Sequence, residues 1–174
     1  SVESEGVVIA YTSVYGHTKK AVELLESELN ITSITVLIQK EAAVRLTSKP
    51  GNEQYGAITA AVNFHAKSEK LFTVGPGNFI PRPKVDSAVL RLLPYEEPAV
   101  KVKDRELFFK LIRAAFGNRR KTLSNALSSA MKSSYSKEEI LNVLEKAGVD
   151  SNRRGETLSL EEYAKISDTF TNLR

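Results

Sequence analysis

Two apolar runs, residues 70–74 (KLFTV) and 87–93 (SAVLRLL), are joined by a loop that carries Pro76, Pro81 and Pro83 and has no helical stretch in it. A parallel pair of strands needs a crossover connection, usually a helix, so these two strands must pair antiparallel. The prolines hold φ near one value and leave the loop few conformers, which suits a segment that has to present a side chain. Everything upstream reads differently, as strands and helices in alternation.

Residues 6–11 (GVVIAY) form a short β-branched run bounded by Glu5 and a hydroxyl-rich loop, the pattern of a buried parallel strand. Over residues 17–29, Ala21, Val22, Leu24, Leu25 and Leu29 recur at helical spacing while Lys19, Lys20, Glu23, Glu26 and Glu28 take the other face. Residues 33–38 (SITVLI) then complete a βαβ unit whose crossover should be right-handed. A short helix over 41–46, broken by Ser48-Lys49-Pro50-Gly51-Asn52, and a helix over 55–66 precede the proline-linked pair. The expected sheet has four strands in the spatial order first, second, fourth, third, with the fourth antiparallel. It leaves a raw edge beside the first strand, and a homodimer through that edge is expected.

Past Pro94-Tyr95-Glu96-Glu97-Pro98 only helices are expected, over 105–116, 118–131, 137–147 and 159–173. Ser136 with Glu139 and Ser159 with Glu162 match the capping box, which marks two of the starts. The division predicted is an α/β domain over 1–98 and a helical domain over 99–174. Charge divides with it: the first part carries ten Lys and Arg against 11 Asp and Glu, the second 15 against ten. Within residues 105–132 seven basic side chains face one acid, Glu106, and such a density is the footprint of a polyanion partner or, more plainly, a solvated helix face.

With no cysteine and only His17 and His65, disulfides, thiolate zinc and thiol catalysis are excluded and no metal site is expected. No apolar run approaches the roughly 20 residues that span a bilayer, and the first residues are acidic where a signal peptide is basic, so a cytoplasmic protein is expected.

The first candidate site is the loop Thr12-Ser13-Val14-Tyr15-Gly16-His17-Thr18. Its hydroxyls and the backbone N–H groups near Gly16 would converge at a helix N-terminus, where an anion is favoured; the plainer reading is an N-cap without ligand. Residues 7–29 resemble the first βα unit of flavodoxin-like domains of the flavodiiron type. That resemblance implies FMN or another phosphate ligand held by Thr12, Ser13, Tyr15, Gly16 and Thr18, although no counterpart of the flavin-clamping loops is found.

A second set of motifs runs in order through residues 34–174. It comprises Gln39-Lys40-Glu41, Tyr55-Gly56, Phe79-x-Pro81-x-Pro83-Lys84-Val85-Asp86-Ser87-Ala88, Phe116-x-x-Arg119-Arg120-Lys121 and Arg153-Arg154-x-Glu156-x-Leu158-Ser159. Together they resemble the ribosomal RNA adenine N6-dimethyltransferases of the KsgA type. The resemblance implies a Rossmann-like methyltransferase sandwich followed by an all-α domain. It implies a target base beside Phe79, whose alternative is a place in the core, and small-subunit ribosomal RNA against Lys84, Arg113, Arg119, Arg120, Lys121, Arg153 and Arg154. Arg119-Arg120-Lys121 is read as opening the second helix, and an ion pair of Arg153 or Arg154 with Glu156 as the competing use of those arginines. Asp86 reads as a carboxylate satisfying backbone donors at a strand start rather than as a catalytic acid.

The family also implies S-adenosylmethionine, bound on three strands that precede the counterpart of residues 7–11, and an Asn-Leu-Pro-Tyr type motif after that strand. Neither is found. The expectation is therefore a fold chimera, engineered or recombined. Its α/β domain is truncated, with residues 1–33 flavodoxin-like and 34–98 methyltransferase-like. It holds no cofactor and keeps ribosomal RNA affinity without methyl transfer. Weak FMN or phosphate binding is the first alternative and an active dimethyltransferase the second.

Overall fold

The computed structural model describes residues 8–10, by their backbone, and 32–173. The expected loop over 12–18 and helix over 17–29 lie outside the described residues. The chain divides into two units, one of residues 1–48 and 61–99, the other of residues 49–60 and 100–174. This differs from the division at 98 by one segment: residues 49–60, read as part of the α/β domain, belong with the helical unit.

The first unit is built on a sheet of β1 (Val8–Ala10), β2 (Ile34–Gln39), β3 (Ala66–Val74) and β4 (Ser87–Pro94) in the order β1-β2-β4-β3. β1 is parallel to β2, and β4 is antiparallel to both β2 and β3, as the proline loop required. Strand alternation sorts one face into the core: Ile34 pairs with Leu92 and Val36 with Leu90, and all four are buried. Helix α1 (Lys40–Leu46) packs on this sheet, with Ala43 and Leu46 buried. Helix α2 (Ala57–His65) runs directly into β3.

β3 is longer than the apolar run at 70–74, because its polar first half is recruited by the partner strand rather than by its own pattern. Glu69 lies opposite Arg91 and accepts from it at 2.8 Å, with Lys67 on the same carboxylate at 2.7 Å. Ser68 donates to the Leu46 carbonyl at the end of α1 at 2.7 Å. None of these partners is near in sequence except Lys67.

The second unit contains α3 (Arg105–Phe116), α4 (Leu123–Met131), α5 (Lys137–Lys146) and α6 (Leu160–Thr171). Phe108, Leu111 and Ile112 of α3 are buried at helical spacing, and Asp104 caps its start by accepting from the Leu107 N–H at 2.8 Å. Both capping boxes form, Ser136 with Glu139 and Ser159 with Glu162. Gly148, at φ 70°, stands just past α5 where a left-handed residue ends a helix.

The second of these helices is shorter than expected. Residues 118–122 form a turn and α4 begins at Leu123, so Arg119-Arg120-Lys121 do not open a helix. The reason is tertiary: the N–H groups of Leu123 and Ser124 donate to the carbonyls of Arg153 and Ser151, at 2.7 and 3.2 Å. Donors that a helix start must satisfy are taken by a distant loop, and no local cap is needed.

Candidate nucleic-acid interface

In the helical unit three loops meet, over residues 49–55, 117–121 and 153–157. Tyr55 is buried against Phe116, with ring centroids 5.7 Å apart. Burial, and to a lesser degree the charge of Glu161, pushes its phenol up to about 12, so it stays protonated. The Tyr163 phenol is pushed up as well, first by burial, and its O–H donates to the Gly155 carbonyl at 2.9 Å. The Gly51 N–H donates to the Glu156 carbonyl at 2.8 Å.

The arginines divide into two kinds. Arg119 donates through Nε to Glu156 Oε2 at 2.8 Å and through Nη2 to the carbonyls of Glu53 and Tyr55 at 2.7 and 3.1 Å. Arg153 grips both carboxylate oxygens of Glu162, with Nη2 at 3.1 Å from Oε2, and also reaches the Thr157 carbonyl at 2.7 Å. The ion pairs are therefore Arg119 with Glu156 and Arg153 with Glu162, not Arg153 or Arg154 with Glu156. Arg113, Arg120, Lys121 and Arg154 are exposed, and their side chains have no hydrogen-bond or ion-pair partner among the described residues. Gly117, Asn118, Arg119, Arg120 and Lys121 line an open recess of about 450 Å³.

The Arg153 clamp has a pH signature. The hydrogen bond from Arg153, with help from the Ser159 N–H and against some burial, holds the Glu162 carboxyl below its ordinary value of 4.5. A carboxyl lowered in the folded state stabilises fully above its unfolded value, and the contribution is lost as pH falls through the folded one. The thermal midpoint should therefore drop on acidification below pH 4.5, and Glu162→Gln should flatten that limb of a midpoint-against-pH series while lowering the neutral plateau.

In the other unit, Phe79 closes a short 3₁₀ turn, Pro76–Asn78, and is half-buried, between the two environments weighed for it. The fully exposed apolar side chain of this loop is Ile80, which charge and motif reading passed over because an isolated loop isoleucine carries no pattern. Lys84 is exposed. The Asp86 carboxylate is engaged by the Lys40 ammonium at 3.1 Å rather than by backbone donors, while its carbonyl accepts from the Lys40 N–H at 3.0 Å. Thr12, Ser13, Tyr15, Gly16 and Thr18 lie outside the described residues. Among the described residues no three His, Cys, Asp or Glu side chains gather as metal ligands, and no helix is long and apolar enough to cross a membrane.

A family model described as ribosomal RNA adenine dimethylase matches residues 5–171. Ribosomal RNA small subunit methyltransferase A of Alkaliphilus metalliredigens (strain QYMF) is 47% identical over 160 residues, 92% of this chain and 55% of the relative. The protein of that name from Clostridium botulinum (strain Kyoto / Type A2) is 44% identical over 166 residues, 95% of this chain and 59% of the relative. A dimethyladenosine transferase from Plasmodium falciparum shares the fold at a TM-score of 0.80 and 21% identity, over 99% of this chain and 69% of that one. The 23S rRNA methyltransferase ErmE does so at 0.61 and 21%, over 91% and 63%. The chain spans little more than half the length of the curated relatives it matches. The family match runs through residues 7–29, so the comparisons lend no support to a flavodoxin-like graft, nor to the inactive chimera inferred from it; a few hydroxyls and a glycine in one βα loop are too weak a pattern to outweigh a match along the chain. By that match the chain belongs to the ribosomal RNA adenine dimethylase family.

Proposed function

We propose that this chain is the RNA-docking portion of an adenine dimethylase that acts on small-subunit ribosomal RNA. The observation that carries the reading is the display of Arg120 and Lys121 on a loop whose neighbour, Arg119, is tied down by three hydrogen bonds, with Arg113 exposed nearby in sequence. Clustered cations without carboxylate partners repel one another, and a polyanion relieves that repulsion. Guanidinium groups suit bidentate phosphate contacts, and A-form RNA is recognised through shape and backbone. In this reading Lys84 and Arg154 add phosphate contacts, and the loop around Phe79 meets the target base, where stacking is worth about 1–3 kcal/mol.

Methyl transfer belongs to the whole enzyme. In the family resemblance S-adenosylmethionine is held by strands that precede the counterpart of β1, and the chain's own described residues bind and orient RNA rather than the donor. The test titrates a small-subunit ribosomal RNA fragment at two salt concentrations, with S-adenosylmethionine titrated separately on the same sample. Binding that falls steeply with salt is expected. Binding indifferent to salt, or none at low salt, overturns the reading, and donor binding would extend it to catalysis.

A further inference from the structure

We propose that Arg119 is a positioning residue rather than an RNA contact: it fastens the loops over 49–55, 117–121 and 155–157 together so that Arg120 and Lys121 face outward. The inference rests on the RNA-docking reading of this surface and deepens it. The guanidinium offers five N–H donors in a fixed plane. Nε spends its one on Glu156 Oε2 at 2.8 Å, and Nη2 spends both of its own on the Glu53 and Tyr55 carbonyls at 2.7 and 3.1 Å.

Without that side chain the segment after α3 is held at its ends, by Phe116 against Tyr55 and by the Leu123 and Ser124 N–H groups on the Arg153 and Ser151 carbonyls, but not, among the described residues, between them. Its own backbone bonds are local, from the Gly117 N–H to the Arg113 carbonyl and from the Lys121 N–H to the Asn118 carbonyl. The facing loops are already tied to each other through the Gly51 N–H and the Glu156 carbonyl, so Arg119 joins the cation-bearing loop to a platform that exists without it. Glu156 also speaks against direct contact, because a carboxylate 2.8 Å from the guanidinium repels an approaching phosphate. A lysine, a single charged point, cannot reach three acceptors in one plane.

The two roles predict opposite signs for one substitution. Glu156→Gln removes a negative charge from a basic surface; if Arg119 touches phosphate, RNA binding tightens. If Arg119 positions its neighbours, binding weakens, by about threefold to tenfold for a charge-assisted hydrogen bond made neutral. Arg119→Lys keeps the charge and is expected to weaken binding similarly. Hydrogen exchange of the Lys121 amide, which donates to the Asn118 carbonyl, measured without RNA on samples whose circular dichroism matches the wild type, should quicken in both variants. Tighter binding in Glu156→Gln, wild-type binding in Arg119→Lys, or unchanged exchange overturns the proposal. Arg120→Ala with Lys121→Ala separates the two claims: if that pair binds RNA as the wild type does, the docking reading fails, while the exchange data still decide whether Arg119 holds the loop.

Discussion

Replacing Gly155 by valine is expected to unfold the helical unit at temperatures where the wild type is intact. A Cβ at this position would sit 2.6 Å from the Ala115 Cβ, 2.9 Å from the Tyr163 hydroxyl and 3.1 Å from the Ala115 carbonyl carbon. Ala115 and Tyr163 are both buried, on helices α3 and α6 that pack together, so neither can retreat into solvent. Forcing extra atoms into a filled core costs typically 1–3 kcal/mol, and losing the Tyr163 hydrogen bond to the Gly155 carbonyl adds about 1 more. A loss of about 3 kcal/mol lowers the midpoint of a unit this size by roughly 10–20 °C, read by circular dichroism at the helical band. Gly155→Ala already meets the closest contact and should show most of the effect. A midpoint within a few degrees of wild type would mean that the 153–157 loop is not held against α3 as described.

The paired substitution Arg120→Ala with Lys121→Ala should have the largest effect on binding and little on folding. Both side chains are exposed and make no hydrogen bond or ion pair among the described residues, so their removal leaves no buried group unsatisfied. Each cation that meets a phosphate releases counterions and contributes about 0.7–0.9 to the slope of log affinity against log salt. Losing both should flatten the slope by about 1.5. Affinity for a small-subunit ribosomal RNA fragment should fall about tenfold to a hundredfold at moderate salt, as expected for two charge-assisted contacts. An unchanged slope would assign the charge dependence to other residues, Arg113, Arg154 and Lys84 being the next to replace.

These two predictions draw on different layers of information. The cationic segment is plain in the order of residues 105–132, since charge density survives any folding of the chain. Which cations are available is not. Glu156 lies close in sequence to Arg153 and Arg154, and proximity assigns it to one of them. The folded chain gives Glu156 to Arg119, 37 positions away, and gives Arg153 to Glu162. Arg153 and Arg119, which the motif resemblance places against RNA, thus each make an ion pair within the folded chain that their neighbours in sequence do not reveal. The Gly155 contact is equally silent in one dimension, because the atoms that exclude a Cβ belong to residues 115 and 163.

The order β1-β2-β4-β3, the antiparallel β4 and the capping boxes at Ser136 and Ser159 were all determined by sequence alone. Each depends on a local period or on a stiff connection, and side-chain alternation along a strand or a turn of helix acts within a few residues. Tertiary structure alone decided the start of α4, the polar first half of β3, the attachment of residues 49–60 to the helical unit and the partners of Arg119 and Arg153. In each case a hydrogen-bonding group is satisfied by a partner that packing brings near, and the energy of that bond depends on distance in space, to which distance along the chain is no guide.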